Sequence, residues 1–271
     1  MNSVEINVVR NSVYEKKPLI HCITNPISIN QCANAVLSAG ARPIMAEHPL
    51  EVAEITQTAS ALMLNIANIT DVRMKSIKTA SETAKKYNIP SVLDIVGISC
   101  SQLRRNYVHE LLDIHIPTVI KGNYSEICAL SDDEYRSAGV DSHSSATFQK
   151  TFNSAVFSAR KYNTVILASG KSDIVTDGKR VAYIHNGSPR LAEITGTGCM
   201  QGALTAVYLS ASDGFQSAVT ACTVMGICGE LASCKEGTGS FYTALLDSLS
   251  LLRNADIEKY IKLEETTLEK I

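Results

Sequence analysis

Apolar residues in this chain fall into short runs separated by longer stretches of helical period. The runs Leu19 to Ile23, Leu62 to Ile66, Ser91 to Asp94, Thr118 to Ile120 and Thr164 to Ala168 have the length and composition of buried strands. Between them, Asn30 to Ser38, Asp71 to Tyr87, Gln102 to Leu112 and Ala146 to Tyr162 are long enough for helices. This alternation predicts an α/β fold, with a mostly parallel central sheet and helices on both faces. Beyond residue 172 the rhythm changes. Asp173 to Thr176 and Val181 to His185 read as the arms of a β-hairpin, and Asp177-Gly178 predicts a tight two-residue turn between them. A helix-rich stretch runs from Met200 to about Leu252.

No repeat, low-complexity tract or Pro/Ser/Gly linker interrupts the pattern, so a single domain over residues 1–271 is expected. The Ser-rich patch Asp141 to Ser145 reads as a loop and helix start. With 45% apolar and 19% charged residues the composition is that of a globular protein. A net charge of -2, without a run of Lys or Arg, argues against a nucleic-acid partner, which needs a concentrated positive face. The absence of an apolar stretch of about 18 residues predicts no membrane span. Met1 to Lys17 lacks the basic start and apolar run of a secretory signal, so the cytoplasm is the expected location. None of the 8 cysteines forms a Cys-x-x-Cys pair. Apart from Cys199, they read as small buried apolar residues in a reducing compartment.

In a parallel sheet, ligands bind beyond the carboxyl ends of the strands. That rule marks His21 to Asn25, Asn65 to Asn68, Asp94 to Gly97, Lys121 to Glu126 and Ser169-Gly170. The strongest local feature is Thr195-Gly196-Thr197-Gly198-Cys199, directly before an apolar helix. Glycines there let the backbone present several N–H groups to one point, an arrangement that suits a phosphate. Cys199 falls in the first helical turn, where the helix end predicts a lowered thiol pKa. It is a candidate to accept, or simply hold, a substrate hydroxyl. Asn123-x-x-Glu126 fits either a magnesium shell or a helix capping box. Asp94 ends a strand and is a candidate for the same ion. Lys121 can offset phosphate charge or lie in solvent. His21 and Asn25 can fix the orientation of a small organic substrate. Met45 can form an apolar wall of that pocket or pack in the core.

Taken in order, these features resemble the hydroxyethylthiazole kinase family over nearly the whole chain. The resemblance rests on Pro18-Leu-Ile-His-Cys-Ile-Thr-Asn25, Cys32-Ala-Asn-Ala35, Pro43-Ile-Met-Ala46, Val119-Ile-Lys-Gly-Asn123 and Ile194-Thr-Gly-Thr-Gly-Cys-Met200. It implies a ribokinase-like fold and phosphorylation of the primary alcohol of 5-(2-hydroxyethyl)-4-methylthiazole by ATP with Mg2+, in thiamine salvage. It also implies a homotrimer with active sites between neighbouring subunits. Carried onto this chain, it puts Met45 and the backbone at Gly196 against the thiazole. Lys121 and Ser169, with Gly198 in the phosphate cradle, would contact ATP. Asp94 and Glu126 would lie near magnesium. Cys199 stands where related sugar kinases carry an aspartate base.

Three positions depart from the family pattern. Ile95 replaces a common proline, which is expected to loosen the Asp94–Gly97 loop. Lys121 replaces a common arginine, giving a point charge in place of a planar fork. Thr238 replaces the proline of a Gly-Pro-Gly run. Other activities of the same fold also enter: a nucleotide-dependent dehydratase, which usually carries aspartate at the position of Cys199, and a hydroxymethylpyrimidine kinase. A thiazole binder without chemistry is a further reading, against which the acidic residues and the Gly run argue.

Overall fold

The computed structural model describes residues 1–136 and 148–268. Helix α1 (Ser3–Lys16) precedes β1 (Leu19–Ile23). Then follow α2 (Ile29–Ser38), β2 (Arg42–Ile44), α3 (Val52–Thr58), β3 (Ala61–Asn65) and α4 (Asp71–Tyr87). The chain continues through β4 (Ser91–Asp94), α5 (Gln102–Ile114), β5 (Val119–Asn123), α6 (Tyr124–Ser131) and α7 (Phe148–Tyr162). Strands β6 (Val165–Ser169), β7 (Asp173–Thr176) and β8 (Arg180–Ile184) come next, and a 3-10 turn (Pro189–Glu193) joins them to the last helices. These are α8 (Thr197–Leu209), α9 (Gly214–Ala232), α10 (Thr238–Leu251) and α11 (Asn254–Tyr260), before a final strand, β9 (Leu263–Thr267).

All nine strands join one sheet in the order β2-β1-β3-β4-β5-β6-β7-β8-β9. Strands β1 to β6 are parallel, and β7 to β9 extend the sheet antiparallel. Burial on both faces explains why the parallel strands read as continuous apolar runs. In β3, Ala61 and Met63 enter one core with residues of α8 and α9, while Leu62 and Leu64 enter the other with α4 and α5. The mostly parallel α/β sheet with helices on both faces is therefore as the sequence pattern predicts.

The local signals that set the helices are visible in α4. Thr70 accepts the Arg73 N–H at its start, and Asn88 ends it in the left-handed region at φ 54°. Ile77, Ala80 and Ala84 lie on its buried face. The 19-residue helix α9 is long and apolar enough to cross a membrane, but 83% of its most apolar window is buried inside the fold. It is a core helix of this sheet.

Several elements differ from the sequence expectations. The hairpin loop is longer than two residues, because Thr176 pairs with Val181. Asp177 Oδ1 accepts the N–H groups of Lys179 and Arg180, both at 2.9 Å, and Gly178 takes φ +82°, so the carboxylate organises a wider loop. Helix α8 starts at Thr197, ahead of Met200. Strands β2 and β9 and helices α1, α3 and α11 were not predicted. Two of the cysteines expected to be buried, Cys100 and Cys234, are exposed. The Asp141–Ser145 loop and the predicted start of a helix at Ala146 lie outside the described residues.

The chain leaves β1 for β2 on one side and leaves β3 for β4 on the other, so the connections leave these neighbouring strands in opposite directions. This reversal opens a crevice beyond the carboxyl ends of β1 and β3, which is where ligands bind in such sheets.

Candidate active site

Helix α8 points its first turn at that crevice. Gly196 is its N-cap, in the left-handed region at φ +93°, and no side chain caps the helix. A non-glycine residue is strained at that φ. The first amides of α8 have no acceptor within the helix and carry its partial positive charge. Thr197 does not cap its own helix. Its hydroxyl donates backward to Leu191 O at 2.8 Å and Ile194 O at 3.1 Å, fixing the chain's entry into the turn.

Cys199 lies in this turn, half-buried, and two asparagines reach its sulfur. Asn25, just past β1, donates from Nδ2 at 3.5 Å, and Asn65, the last residue of β3, donates from Nδ2 at 3.4 Å. Both amides are oriented by backbone donors. Ile27 N–H bonds Asn25 Oδ1 at 3.1 Å, and Ala67 N–H bonds Asn65 Oδ1 at 2.9 Å, so the NH2 groups face the sulfur. The strand-end rule marked the region of Asn65, but its residue type gave no chemical cue; only the spatial neighbour Cys199 reveals it.

The thiol pKa corrects the sequence expectation. It is raised, first because the sulfur is desolvated and next because Asp94 opposes a second negative charge. Ser28, Lys121 and Asn25 pull it down without reversing that direction. A helix N-terminus does favour a thiolate. Here burial and a neighbouring carboxylate outweigh it, so Cys199 rests as a neutral thiol.

Lys121, in the middle of β5, and Asp94, the last residue of β4, form a buried ion pair, with Nζ 3.1 Å from Oδ2. The parallel register places these residues side by side. Lys121 is therefore not a solvated surface residue. Burial works against its charge, but Asp94, Cys199 and Glu126 together hold its pKa above the ordinary value. Its Nζ lies 3.9 Å from where a Cβ on Gly198 would stand, so it faces the first turn of α8. Asp94 Oδ2 also accepts Asn65 Nδ2–H at 3.2 Å, whereas buried Oδ1 has no hydrogen-bond partner.

Glu126 realises the capping box read from the sequence: Asn123 Oδ1 accepts the Glu126 N–H at 2.9 Å, and Glu126 Oε2 accepts the Asn123 N–H at 2.7 Å. Its other oxygen accepts the Gly97 N–H at 2.7 Å. Burial, with Asp94 adding to it, pushes its pKa up to about 7. The same contact resolves the Ile95 departure. Ile95 is fully buried, and its N–H bonds Lys121 O at 2.9 Å, a bond proline cannot make. With Arg104 bonding Val96 O and Glu126 bonding Gly97, the loop is tied down without the proline, contrary to expectation. Thr238 opens α10, a position where a helix asks for no N–H acceptor, so losing a proline there frees no hydrogen bond.

The remaining candidates divide. Met45 is partly buried and packs against the core helices' cluster. His21 does not face the crevice: its ring bonds Thr56 Oγ1 at 3.0 Å and Ala46 O at 2.8 Å, and burial lowers its pKa. It anchors the segment that carries Met45. Ser169 ends β6 beside Asn123 of β5, its hydroxyl donating to Gly122 O at 3.3 Å. The structure thus gathers Asn25, Asp94, Lys121, Gly198 and Cys199 into one cluster, with Glu126 behind it and Ser169 on the adjoining strand end.

Among the described residues, no group of three or more His, Cys, Asp or Glu side chains is arranged to hold a metal by itself. The unpartnered Asp94 Oδ1, beside a helix end suited to phosphate, does fit a magnesium ion that takes most of its ligands from water and phosphate.

The chain is similar to known proteins over nearly its whole length. The hydroxyethylthiazole kinase family profile matches residues 11–255. Hydroxyethylthiazole kinase 2 of Clostridium botulinum is 43% identical over 260 residues, covering 94% of this chain and 98% of that protein. The structure of the hydroxyethylthiazole kinase protein from Pyrococcus horikoshii superposes with a TM-score of 0.89 at 32% identity, over 97% of this chain and 99% of that one. A ribokinase-like superfamily protein from Enterococcus faecalis shares the fold, with a TM-score of 0.62 at 12% identity over 90% and 93% of the two chains. A sheet of this order, a glycine-led helix end aimed at its crevice and relatives matched almost end to end lead to one conclusion: the chain is a kinase of ribokinase-like fold and belongs to the hydroxyethylthiazole kinase family.

Proposed function

We propose that this enzyme transfers the γ-phosphoryl group of ATP to the primary alcohol of 5-(2-hydroxyethyl)-4-methylthiazole, in thiamine salvage. The observation that carries the reading is the uncapped first turn of α8 opposite buried Lys121, a cradle for a transferring phosphoryl group. Phosphoryl transfer asks a protein mainly for positioning and charge stabilisation. The amides from Gly196 to Cys199 receive the phosphoryl oxygens, and Gly198 allows their close approach. Lys121 offsets their charge, and Ser169 holds the nucleotide on the adjoining strand end. Met45, Asn25 and the Gly196 backbone line the thiazole subsite. Asp94, with Glu126 behind it, would hold magnesium, which would neutralise polyphosphate charge when bound.

Cys199 acts on the alcohol as a neutral thiol. It keeps its proton before transfer, because burial and Asp94 disfavour the thiolate. The alcohol therefore loses its proton late, to an oxygen of the phosphoryl group being transferred, once its bond to phosphorus is forming and the bond to the ADP oxygen is breaking, as a loose transition state permits. Cys199 holds the hydroxyl in line.

In this reading the whole chain works as one domain in the cytoplasm, a location supported by eight unpaired thiols. It assembles as a homotrimer with the sites between subunits. Two exposed apolar residues flanking the site segments, Ile27 at 60% and Leu50 at 82% exposure, support a covered edge there.

A coupled ADP-release assay across a panel of small alcohols tests the activity. The thiazole alcohol is expected to be the preferred acceptor, with turnover abolished by chelating magnesium. Preference for hydroxymethylpyrimidine, or no ADP release with any alcohol, defeats the assignment.

A further inference from the structure

Asp173 opens β7 and is buried, yet the side chains and backbone that bond it are all neutral. Its Oδ1 accepts the Gly170 N–H at 3.0 Å, and its Oδ2 accepts Gln201 Nε2–H at 2.8 Å. Gln201 belongs to the second turn of α8, and its Nε2 also lies 3.4 Å from Cys222 Sγ on α9. Burying a carboxylate without a bonded cation is unfavourable unless its hydrogen bonds are well made, so a fold rarely retains one without use.

The turn that Asp173 grips is held from other sides too. Gly170 packs on the ring of Tyr124 so closely that a Cβ there would collide with it. The Tyr124 hydroxyl donates to Ser172 O, and Ser172 Oγ is 2.8 Å from His185 Nδ1. These contacts fix the turn to α6 and β8. The Asp173–Gln201 bond alone among them runs to α8.

We propose that Asp173 is a positioning residue that ties the Ser169–Gly170 turn to the helix whose first turn receives the phosphoryl group. One carboxylate spans the two halves of the phosphate site and sets the distance between them. The inference rests on the reading that ATP lies along Ser169 and the α8 amides. In it, Gly170 and Gln201 are the two grips and Cys222 is the backstop. Positioning of this kind acts through geometry, where small displacements weaken alignment strongly.

Nucleotide affinity, measured with a fluorescent ATP analogue, and separate KM values for ATP and the thiazole alcohol test it. Asp173→Ala is expected to raise Kd and KM for ATP by about tenfold or more, while KM for the alcohol moves by less than about twofold. Asp173→Asn should recover to within about threefold of wild type, because Gln201 can turn its carbonyl oxygen toward the new amide. Gln201→Ala cuts the link to α8 and the contact with Cys222, and leaves the Gly170 bond in place. It should lower kcat with little change in ATP affinity, and it gives the readout if Asp173→Ala does not fold. Equal rises in both KM values, or a folded Asp173→Ala with unchanged ATP affinity, overturn the inference while leaving the kinase reading intact. A wild-type protein that binds no ATP analogue overturns both.

Discussion

Arg105 and Lys121 are both buried cations, at 2% and 3% exposure, and they are satisfied in opposite ways. The Arg105 guanidinium donates only to backbone carbonyls: Ala129, Asp132, Asp133, Ile98 and Tyr135, between 2.7 and 3.4 Å. Several of these lie at the carboxyl end of α6, where a positive charge is favoured. Its terminal nitrogens are spent on the fold, and only the buried Nε is left without a partner. Lys121 instead meets a carboxylate that keeps one oxygen without a partner, and it faces a helix end with unbonded amides. The first pattern is structural. The second leaves its charges incompletely matched, as the proposed polyphosphate and cation site requires.

Substitution can break this comparison. The largest effect is expected from Lys121→Met, which should lower kcat/KM in the ADP-release assay on the order of a hundredfold or more. Arg105→Leu should do the reverse. It is expected to lose about 3 kcal/mol in denaturant unfolding, with the kcat of the folded fraction near wild type. If Arg105→Leu cuts kcat as far as Lys121→Met does, the two cations are not functionally different.

Cys199 sharpens the comparison inside the site. Cys199→Ala should reduce kcat about tenfold by loosening the alcohol's position. Cys199→Asp should at least match the wild type, since two asparagine amides and Lys121 are aimed at that point. Loss of activity in the Asp variant with retention in the Ala variant would show that charge is not tolerated there.

The last effect is a slope of stability with pH. Folded Glu126 holds its proton up to about pH 7, against the ordinary value of 4.5. The native chain therefore binds more protons than the unfolded chain between those values, and stability falls as pH rises through that window, by up to about 3 kcal/mol. Glu126→Gln should flatten this part of the curve of unfolding free energy against pH. An unchanged slope would mean that Glu126 titrates at the ordinary value.

Much of this was legible in the amino-acid order. The alternation of buried strands with helices as regular as Asp71–Tyr87 specified the layers, because periodicity is a local consequence of which faces are covered. The Gly196–Cys199 run announced a glycine-led helix entry, since glycine and helix entry are local too. Elements that depend on partners were not legible. Strand β9, with four of its five residues exposed, exists through its pairing with β8, and the three residues of β2 through pairing with β1. The register that sets Lys121 beside Asp94, the asparagines aimed at the sulfur and the strut from Asp173 to Gln201 join residues distant in the chain. The thiol shows the division most clearly. The sequence determined that Cys199 starts a helix, which favours the thiolate. Only the tertiary structure decided how deeply the sulfur is buried and that Asp94 stands near it, and those long-range terms prevail.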